Sequence, residues 1–366
     1  MNPLLTRILL SRSPLSERRR GTRSCLSMTT LMFLFSFPVG LSAQAVTAEP
    51  PDRRDGSGLE LLERKIAQYS GVTEGIVGVG AIHLETGQEI FLNRDLHFPM
   101  ASSYKVPIAV ELLRRVDQGE LRLDSMVLLT PADISPGSGT LSQLFQHPGV
   151  GLSVRNLLEL TLLISDNSAT DMVLRMAGGG TGVTARMRAL GLEEIRVDRS
   201  TTRLIADFLG IRNLPPESEV TPEVFSALSA ALDPSERDAA AIAFDANPMD
   251  TSTPEAMARL LALIWDGSAL SSTSSELLLD IMSRSTTGTA RISGMLPPET
   301  WVAHKTGTIG GTTNDVGIIR LPYNAGNVVM VVFVKESKVD VPTRERAIAE
   351  ISRSIYDYFL FSREDN

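Results

Sequence analysis

The chain has few side chains that could bind a metal or take part in redox chemistry. It contains one cysteine, Cys25, and four scattered histidines in 366 residues. Cys25 lies in a segment that we expect to be removed, so the mature protein has no thiol for a disulfide, a nucleophile or a zinc ligand. No two histidines have the spacing of a shared metal site, and no cluster of carboxylates replaces them. We therefore expect neither a metal nor another cofactor.

Positive charge is also scarce once the first 45 residues are set aside. Those residues carry six arginines and one glutamate, and the remainder has 29 basic against 42 acidic side chains, a net charge of -13. An acidic surface of this kind repels polyanions. Nucleic acid and anionic membrane are therefore not expected as partners.

The first 45 residues have the pattern of an export signal. Arginines between positions 7 and 23 precede an apolar run from Leu31 to Leu41, and Ala43-Gln44-Ala45 matches a cleavage site. The apolar run is too short to span a membrane. We predict a signal peptide over residues 1–45, no membrane anchor after cleavage, and a periplasmic or secreted protein. The long basic part leaves open a start at Met28 and a twin-arginine signal at Arg18-Arg19-Arg20.

Hydrophobic periodicity changes twice along the mature chain. Helical spacing at Leu59–Tyr69 is followed by an extended hairpin over residues 76–93, and then by almost continuous helix from Asp124 to Arg291. Strands are predicted at Trp301–Lys305, Asp315–Leu321 and Asn327–Val334, with a closing helix at Arg344–Phe361. This order predicts an α/β (α+β) fold in which N- and C-terminal helices flank an antiparallel sheet and an all-helical domain is inserted.

The predicted domain limits follow from the same pattern. Residues 46–100 and 285–366 form the discontinuous sheet domain, and residues 101–284 form the helical one. Within the helical part, Thr221-Pro222, Asp233-Pro234 and Thr253-Pro254 each combine an N-cap residue with proline at the first helical position. We predict that a helix begins at each of the three.

The stretch that points most clearly to catalysis is Ser102-Ser103-Tyr104-Lys105. If a helix opens here, Ser102 and Lys105 lie one turn apart on one face, close enough for the amine to hydrogen-bond the hydroxyl. A buried, partly neutral amine can take the proton of a serine and make it a nucleophile. Taken alone, the motif favours an N-cap serine beside a solvated lysine.

Two further motifs favour the catalytic interpretation. Ser165-Asp166-Asn167 ends an amphipathic helix, and Lys305-Thr306-Gly307 ends the first late strand. The three motifs in this order are the signature of class A β-lactamases and penicillin-binding proteins. Such a combination rarely arises by chance.

The chain resembles class A β-lactamases over nearly its whole mature length. The residues that carry the resemblance are Phe98–Lys105, Ser165–Ala169, Thr286–Ile292 and His304–Thr308. In addition, Val197-Asp198-Arg199 is similar to the entrance of the family's omega loop, and Asp250–Pro254 is similar to its exit. It implies a β-lactam as the small-molecule substrate and, on family grounds, a monomer.

The resemblance also assigns roles. It implies that Ser102 attacks the β-lactam carbonyl, that Lys105 accepts or relays the proton, and that Ser165 protonates the leaving nitrogen. It further implies an oxyanion hole from the N–H groups of Ser102 and Thr308. The implied substrate-binding residues are Asn167 for the side-chain amide and, for the carboxylate, Lys305, Thr306, Gly307 and Thr308, with Arg291 as second cation because Asn314 stands where other members have arginine.

The chain departs from the family at the deacylating glutamate. Counted from Arg199, that position is Thr201, and the omega-loop region 197–250 exceeds the family's loop by about three dozen residues whose caps predict helices. Arg199 and Asp250 remain available to pair across the neck of the loop. Candidate replacements for the missing base are Asp207, Glu217, Glu219, Glu223 and Lys105.

The sequence therefore predicts a serine β-lactamase that works through an acyl-serine intermediate. The missing glutamate keeps two alternatives open. One is a D-alanyl-D-alanine carboxypeptidase or esterase-like hydrolase with slow deacylation. The other is a covalent β-lactam sensor or binding module.

Overall fold

A computed structural model of the chain describes residues 54–361 except 146 and 148, with side chains from residue 58 onward. The predicted signal peptide, residues 1–45, lies outside the described residues. None of the helices in the described part has the length and hydropathy of a membrane span.

The described residues form helices and strands joined by loops and short 3₁₀ turns. The helices are α1 Arg54–Val72, α2 Lys105–Asp117, α3 Leu141–Leu144, α4 Val154–Leu163, α5 Asn167–Met176, α6 Gly179–Ala189, α7 Thr201–Leu209, α8 Pro222–Ala230, α9 Pro234–Asp245, α10 Pro254–Trp265, α11 Ser272–Ser283 and α12 Val341–Phe361. The strands are β1 Ile76–His83, β2 Glu89–Leu92, β3 Phe98–Pro99, β4 Met126–Leu128, β5 Gly151–Ser153, β6 Thr251–Ser252, β7 Val302–Ile309, β8 Thr312–Arg320 and β9 Asn327–Lys335.

The main sheet joins the two ends of the described chain. Its strand order is β2-β1-β9-β8-β7, and every neighbouring pair is antiparallel. Side chains alternate across β9 as the two-residue period of a strand requires. Val328, Met330 and Val332 join the cluster under α1 and α12, whereas Val329 and Val331 join the core shared with the central helices. The predicted fold class is therefore confirmed.

Helix α2 lies at the centre of the larger core. The sequence predicts a buried stripe at Val106, Val110, Leu113 and Leu121. The structure instead buries every residue from Lys105 to Leu113, and Leu121 is half-buried beyond the end of the helix. The helix is enclosed on several sides because it contacts α4, α5, α6 and α11. A helix in this position is hydrophobic around most of its circumference rather than along one stripe.

The predicted proline-capped helices begin where expected. The hydroxyls of Thr221 and Thr253 accept from the backbone N–H three residues on, and Asp233 accepts from Ser235 N. These bonds satisfy N–H groups that have no partner inside the helix. The capping pattern in the sequence was therefore sufficient to locate the starts of α8, α9 and α10.

The region predicted to be all helical differs from the prediction in two details. It contains a two-stranded ribbon, β4 with β5, and the two-residue strand β6, which pairs with β3. Strands this short have too few residues to show a two-residue period. In addition, Gly178 ends α5 at φ +86° as predicted, but a further helix, α6, starts immediately after it.

Two glycines allow a matched test of the packing between α10 and the sheet. A methyl group on Gly80 in β1 would lie 2.8 Å from the carbonyl oxygen of Pro254, whereas one on Gly71 in α1 would meet nothing within 4 Å. Gly80→Ala is therefore expected to lower the free energy of unfolding by about 1–3 kcal/mol. Gly71→Ala should leave it unchanged or raise it by up to about 1 kcal/mol. Equal effects of the two changes in urea denaturation would contradict this packing.

Candidate active site

Ser102 lies on a short 3₁₀ turn, Ala101–Tyr104, directly before α2. The turn is fixed from behind by Asn314, whose Nδ2 donates to the carbonyl oxygens of Pro99 and Met100 at 2.9 Å each. Ala101 adopts φ +45°, a strained value for a residue with a Cβ. Ser102 itself is only half-buried. The serine is therefore held on a rigid turn with its side open to a ligand.

Lys105 is fully buried one turn further on. Its Nζ donates to Ser165 O at 2.8 Å, Ser165 Oγ at 3.0 Å and Asn167 Oδ1 at 2.9 Å. The expected hydrogen bond with Ser102 Oγ is not among the hydrogen bonds of the described residues. Three acceptors use all three N–H bonds of an ammonium group, which leaves none for Ser102. The lysine therefore links the first motif to the second.

Ser165 lies between two lysines. Lys305 Nζ also donates to Ser165 Oγ, at 3.0 Å, and to the carbonyl oxygen of Thr306 at 2.9 Å. Ser165 has φ +58°, so its backbone is strained as well. One hydroxyl thus accepts hydrogen bonds from two buried lysine side chains, one on α2 and one on β7.

Burial lowers the basicity of both lysines. It lowers the pKa of Lys105 to about 7, against the opposing effect of the Asp171 and Asp166 carboxylates. It also holds the pKa of Lys305 well below its usual range, and the neighbouring Lys105 charge lowers it further. Burial removes the water that stabilises an ammonium group, and a second positive charge nearby disfavours it further. Lys105 is therefore partly neutral near neutral pH.

Strand β7 passes close to the Ser102 turn. A methyl group on Gly307 would lie 2.5 Å from Met100 O and 3.0 Å from Ser102 N, so only glycine allows this approach. Because β7 is an edge strand of the main sheet, alternate N–H groups along it face away from β8. Thr306 is buried and Thr308 is exposed. The Lys305–Thr308 segment thus forms one wall beside Ser102.

Arg291 contacts this wall from behind. Its Nη2 donates to Thr308 Oγ1 at 2.6 Å, its Nη1 to the carbonyl oxygen of Asn314 at 2.8 Å, and its Nε to Glu345 Oε1 at 3.0 Å. The residue is 5% exposed. It therefore orients the Thr308 hydroxyl, while the Glu345 carboxylate offsets part of its positive charge.

Asn167 forms the opposite wall. Its Oδ1 accepts from Lys105, and its Nδ2 donates to Pro136 O at 2.7 Å. The amide nitrogen has two N–H bonds, so one stays available to a ligand. Ser138 completes this wall by donating to Ser165 O at 3.0 Å.

The neck of the omega-loop region is closed by an ion pair. Arg199 Nε donates to Asp250 Oδ2 at 2.6 Å, and the same carboxylate accepts from the backbone N–H of Asp198 at 2.7 Å. Both side chains of the pair are at most 5% exposed. The pairing considered from the sequence is therefore present in the structure.

Thr201, at the place of the family's glutamate, lies in a buried hydroxyl network. Its Oγ1 lies 2.7 Å from Tyr104 Oη, and its N–H donates to Asp171 Oδ1 at 2.6 Å. Asp171 accepts three further hydrogen bonds, from Thr202 N, Thr202 Oγ1 and Ser135 Oγ. Burial raises the pKa of Tyr104 well above its usual value, so the phenol is neutral. This network offers no free base.

The four acidic candidates are engaged elsewhere or exposed. Asp207 pairs with Arg199 Nη1 at 2.9 Å, and Glu217 accepts from Ser200 Oγ at 2.5 Å. Glu223 accepts from Thr221 Oγ1 at the start of α8, and Glu219 is exposed. None of the four hydrogen-bonds to Ser102, Lys105 or Ser165 among the described residues. Of the candidates named from the sequence, only Lys105 contacts the site.

Sequence reasoning gave no contact in the site to Tyr104, Asp171 or Ser138, and it noted Asn314 only as standing where other members have arginine. Asp171 carried a usable signal, since it stands four residues after Asn167 and therefore on the same face of α5. The other three gave none, because their partners lie on distant elements of the fold. Among the described residues, no group of three His, Cys, Asp or Glu side chains is close enough to hold a metal ion.

Comparison with known proteins identifies the family. A profile described as the β-lactamase enzyme family matches residues 61–359. β-Lactamase VEB-1 of Pseudomonas aeruginosa is 29% identical over 308 residues, which is 82% of this chain and 90% of that protein. The chain therefore belongs to the β-lactamase enzyme family.

Solved structures agree with this membership. A β-lactamase from Chitinophaga pinensis has a TM-score of 0.68 and 31% identity, with 81% of this chain and 98% of that one covered. An ancestral (GNCA) class A β-lactamase has a TM-score of 0.66 and 32% identity, with 81% and 99% covered. The resemblance to class A enzymes is confirmed, and the chain is a serine hydrolase of that type.

The buried neck pair gives a stability prediction. Asp250→Asn removes the charge that opposes Arg199 while keeping the shape of the side chain. The arginine then stays buried, and among the described residues the half-buried Asp207 is its remaining ion-pair partner. We expect the free energy of unfolding to fall by about 3 kcal/mol, as when one member of a buried pair is removed. Glu219→Gln removes an exposed carboxylate and should change it by less than about 0.5 kcal/mol. If both changes had a similar effect in guanidinium denaturation, the Arg199–Asp250 pair would not be stabilising the protein.

Proposed function

We propose that this protein hydrolyses the amide bond of penicillins and cephalosporins through an acyl intermediate on Ser102. The observation that carries the proposal is the convergence of Lys105 and Lys305 on Ser165 Oγ, at 3.0 Å each, beside the Ser102 turn. This arrangement brings a nucleophile, a base and a proton carrier together.

In the acylation step, Lys105 acts as the base for Ser102. An ammonium group at this position uses its three N–H bonds on Ser165 and Asn167, whereas the neutral amine keeps two and presents a lone pair. The pKa of about 7 makes that neutral form abundant. Ser102 Oγ attacks the carbonyl as its proton moves to Lys105, and the N–H groups of Ser102 and Thr308 stabilise the oxyanion.

Ser165 then carries the proton to the leaving nitrogen. Its Oγ accepts from both lysines, so it can receive a proton from Lys105 and give its own to the nitrogen of the opened ring. Lys105 returns to the neutral form at the end of this step. The substrate carboxylate lies against Lys305, Thr306 and Thr308, with Arg291 orienting Thr308.

The same amine serves deacylation. Thr201 cannot accept a proton, and the acidic candidates lie outside the contacts of Lys105. The neutral Lys105 therefore takes a proton from the hydrolytic water and returns it to Ser102 as the acyl bond breaks. Lys105 is thus the base in both acylation and deacylation, and it takes the place of the glutamate that the family uses for deacylation.

The relatives support hydrolysis over the two alternatives drawn from the sequence. All the similar proteins described above are named β-lactamases, whereas a carboxypeptidase or a sensor finds no comparable support. We further propose that the protein works as a periplasmic or secreted monomer after removal of residues 1–45, and that it needs no cofactor. The acidic mature chain and the export pattern support this location.

Intact-mass spectrometry tests the proposal directly. Purified mature protein mixed with benzylpenicillin should gain the mass of one penicillin and lose it again with the hydrolysed product in solution. Ser102→Ala should show no adduct, and Ser103→Ala, its neighbour on the same turn, should still form one. A wild-type protein that forms no adduct and opens no penicillin or cephalosporin would overturn the function, and a permanent adduct would favour the sensor.

A further inference from the structure

Helix α7 spans the groove of the candidate site. A methyl group on Gly137, in the wall of the second motif, would lie 3.1 Å from Ile205 Cδ1. One on Gly310, directly after β7, would lie 2.7 Å from Phe208 Cε2. Thr201 stands four residues before Ile205 and seven before Phe208, which places the three on one face of the helix. Thr201 therefore lies on the face of α7 that is turned to the groove.

Thr201 and Tyr104 share one hydrogen bond between two hydroxyl groups. Their oxygens lie 2.7 Å apart, and among the described residues neither hydroxyl has another hydrogen-bond partner. Each hydroxyl carries one proton, so one proton lies in the shared bond and the other is left over. The pair therefore has one O–H bond to offer to a water molecule.

The O–H bond that is left over belongs to Thr201. Tyr104 is 1% exposed and packs within the main core, where a phenol O–H without an acceptor would be a buried unpaired donor. Burial also raises the pKa of Tyr104 well above its usual value, so the phenol keeps its proton. Thr201 is 5% exposed and faces the groove. Tyr104 therefore donates to Thr201, and the Thr201 proton is directed elsewhere.

The Thr201 hydroxyl is held close to the base. The Thr201 N–H donates to Asp171 Oδ1 at 2.6 Å, which fixes the start of α7. The same carboxylate is the charge that most raises the pKa of Lys105 against the effect of burial. Asp171 also stands one turn after Asn167, whose Oδ1 accepts from Lys105 at 2.9 Å. The hydroxyl and the amine therefore lie around one buried carboxylate.

We propose that the Thr201 hydroxyl binds the hydrolytic water and positions it between Lys105 and the acyl group on Ser102. The inference rests on the proposed function and adds a water-positioning residue to it. Thr201 stands at the place of the family's glutamate, but its chemistry differs. It donates a hydrogen bond to the water and exchanges no proton.

The bonds and protons of this step balance. The water oxygen accepts from Thr201 with one lone pair and attacks the acyl carbonyl carbon with the other. One water proton passes to the neutral amine of Lys105. The bond between the carbonyl carbon and Ser102 Oγ then breaks, and Oγ takes that proton from Lys105. The product leaves as an acid, and the free enzyme is restored.

Three substitutions separate the water-positioning role from a structural one. Thr201→Val removes the hydroxyl and nearly keeps the shape of the side chain, whereas Thr201→Ser keeps a hydroxyl. Tyr104→Phe breaks the same 2.7 Å hydrogen bond but leaves the Thr201 hydroxyl in place. Intact-mass spectrometry after rapid mixing with benzylpenicillin gives the rate at which each protein gains the adduct and the rate at which it loses it.

Thr201→Val should slow the loss of the adduct by at least about tenfold and change its formation by less than about twofold, because only deacylation uses the water. Thr201→Ser should lose the adduct within about threefold of the wild-type rate. Tyr104→Phe should slow that loss by no more than about threefold. Thr201→Ala is a second variant without the hydroxyl should Thr201→Val fail to fold.

Two kinds of result would overturn the inference. If the variants without the hydroxyl lost the adduct at the wild-type rate, slowed both steps equally, or were matched by Tyr104→Phe, the water site would be wrong while hydrolysis itself stands. If the wild-type protein formed no adduct, or never lost it, the proposed function would fail and the water site with it.

Discussion

The structure depends on the burial of two lysines around one serine hydroxyl. Lys105 and Lys305 are both fully enclosed, and both donate to Ser165 Oγ. A buried ammonium group is costly unless hydrogen bonds and opposite charges compensate for its lost water. The carboxylates of Asp166, Asp171 and Asp315 supply part of that compensation. The remaining cost appears as lowered pKa values, on which we base the proposal that the Lys105 amine is the base.

This constraint explains how the fold is joined at the site. Lys105 comes from α2, Ser165 from the turn before α5 and Lys305 from β7, so the three motifs meet only when the sheet and the helices pack together. Gly307 and Asn314 hold the sheet against the Ser102 turn. The neck pair Arg199–Asp250 closes the loop region at its base. Beyond that neck, the extra helices have a small core of their own, which allows the loop to be enlarged without moving the lysines.

Much of this arrangement could be predicted from the sequence, and the limits are physical. The proline caps located α8 to α10, and the strand periodicity located β7 to β9, because both signals lie in a few adjacent residues. The convergence of Ser102, Lys105, Ser165 and Lys305 followed from recognising three motifs in order. The Tyr104–Thr201 pair and the Asn167–Pro136 bond could not be predicted, since they depend on how distant segments pack. The direct Ser102–Lys105 hydrogen bond was expected from helix spacing, but Lys105 uses its donors on Ser165 and Asn167 instead.

The protonation state of Lys105 is the most direct test of this account. The chain has lysine only at positions 65, 105, 305, 335 and 338, so a protein labelled with ¹³C at the lysine ε-carbon gives few signals, and Lys105→Arg assigns the relevant one. We expect the Lys105 signal to titrate with a pKa of about 7 in the free enzyme. A Lys105 signal that stays that of an ammonium group up to pH 10 would contradict a neutral amine as the base for Ser102.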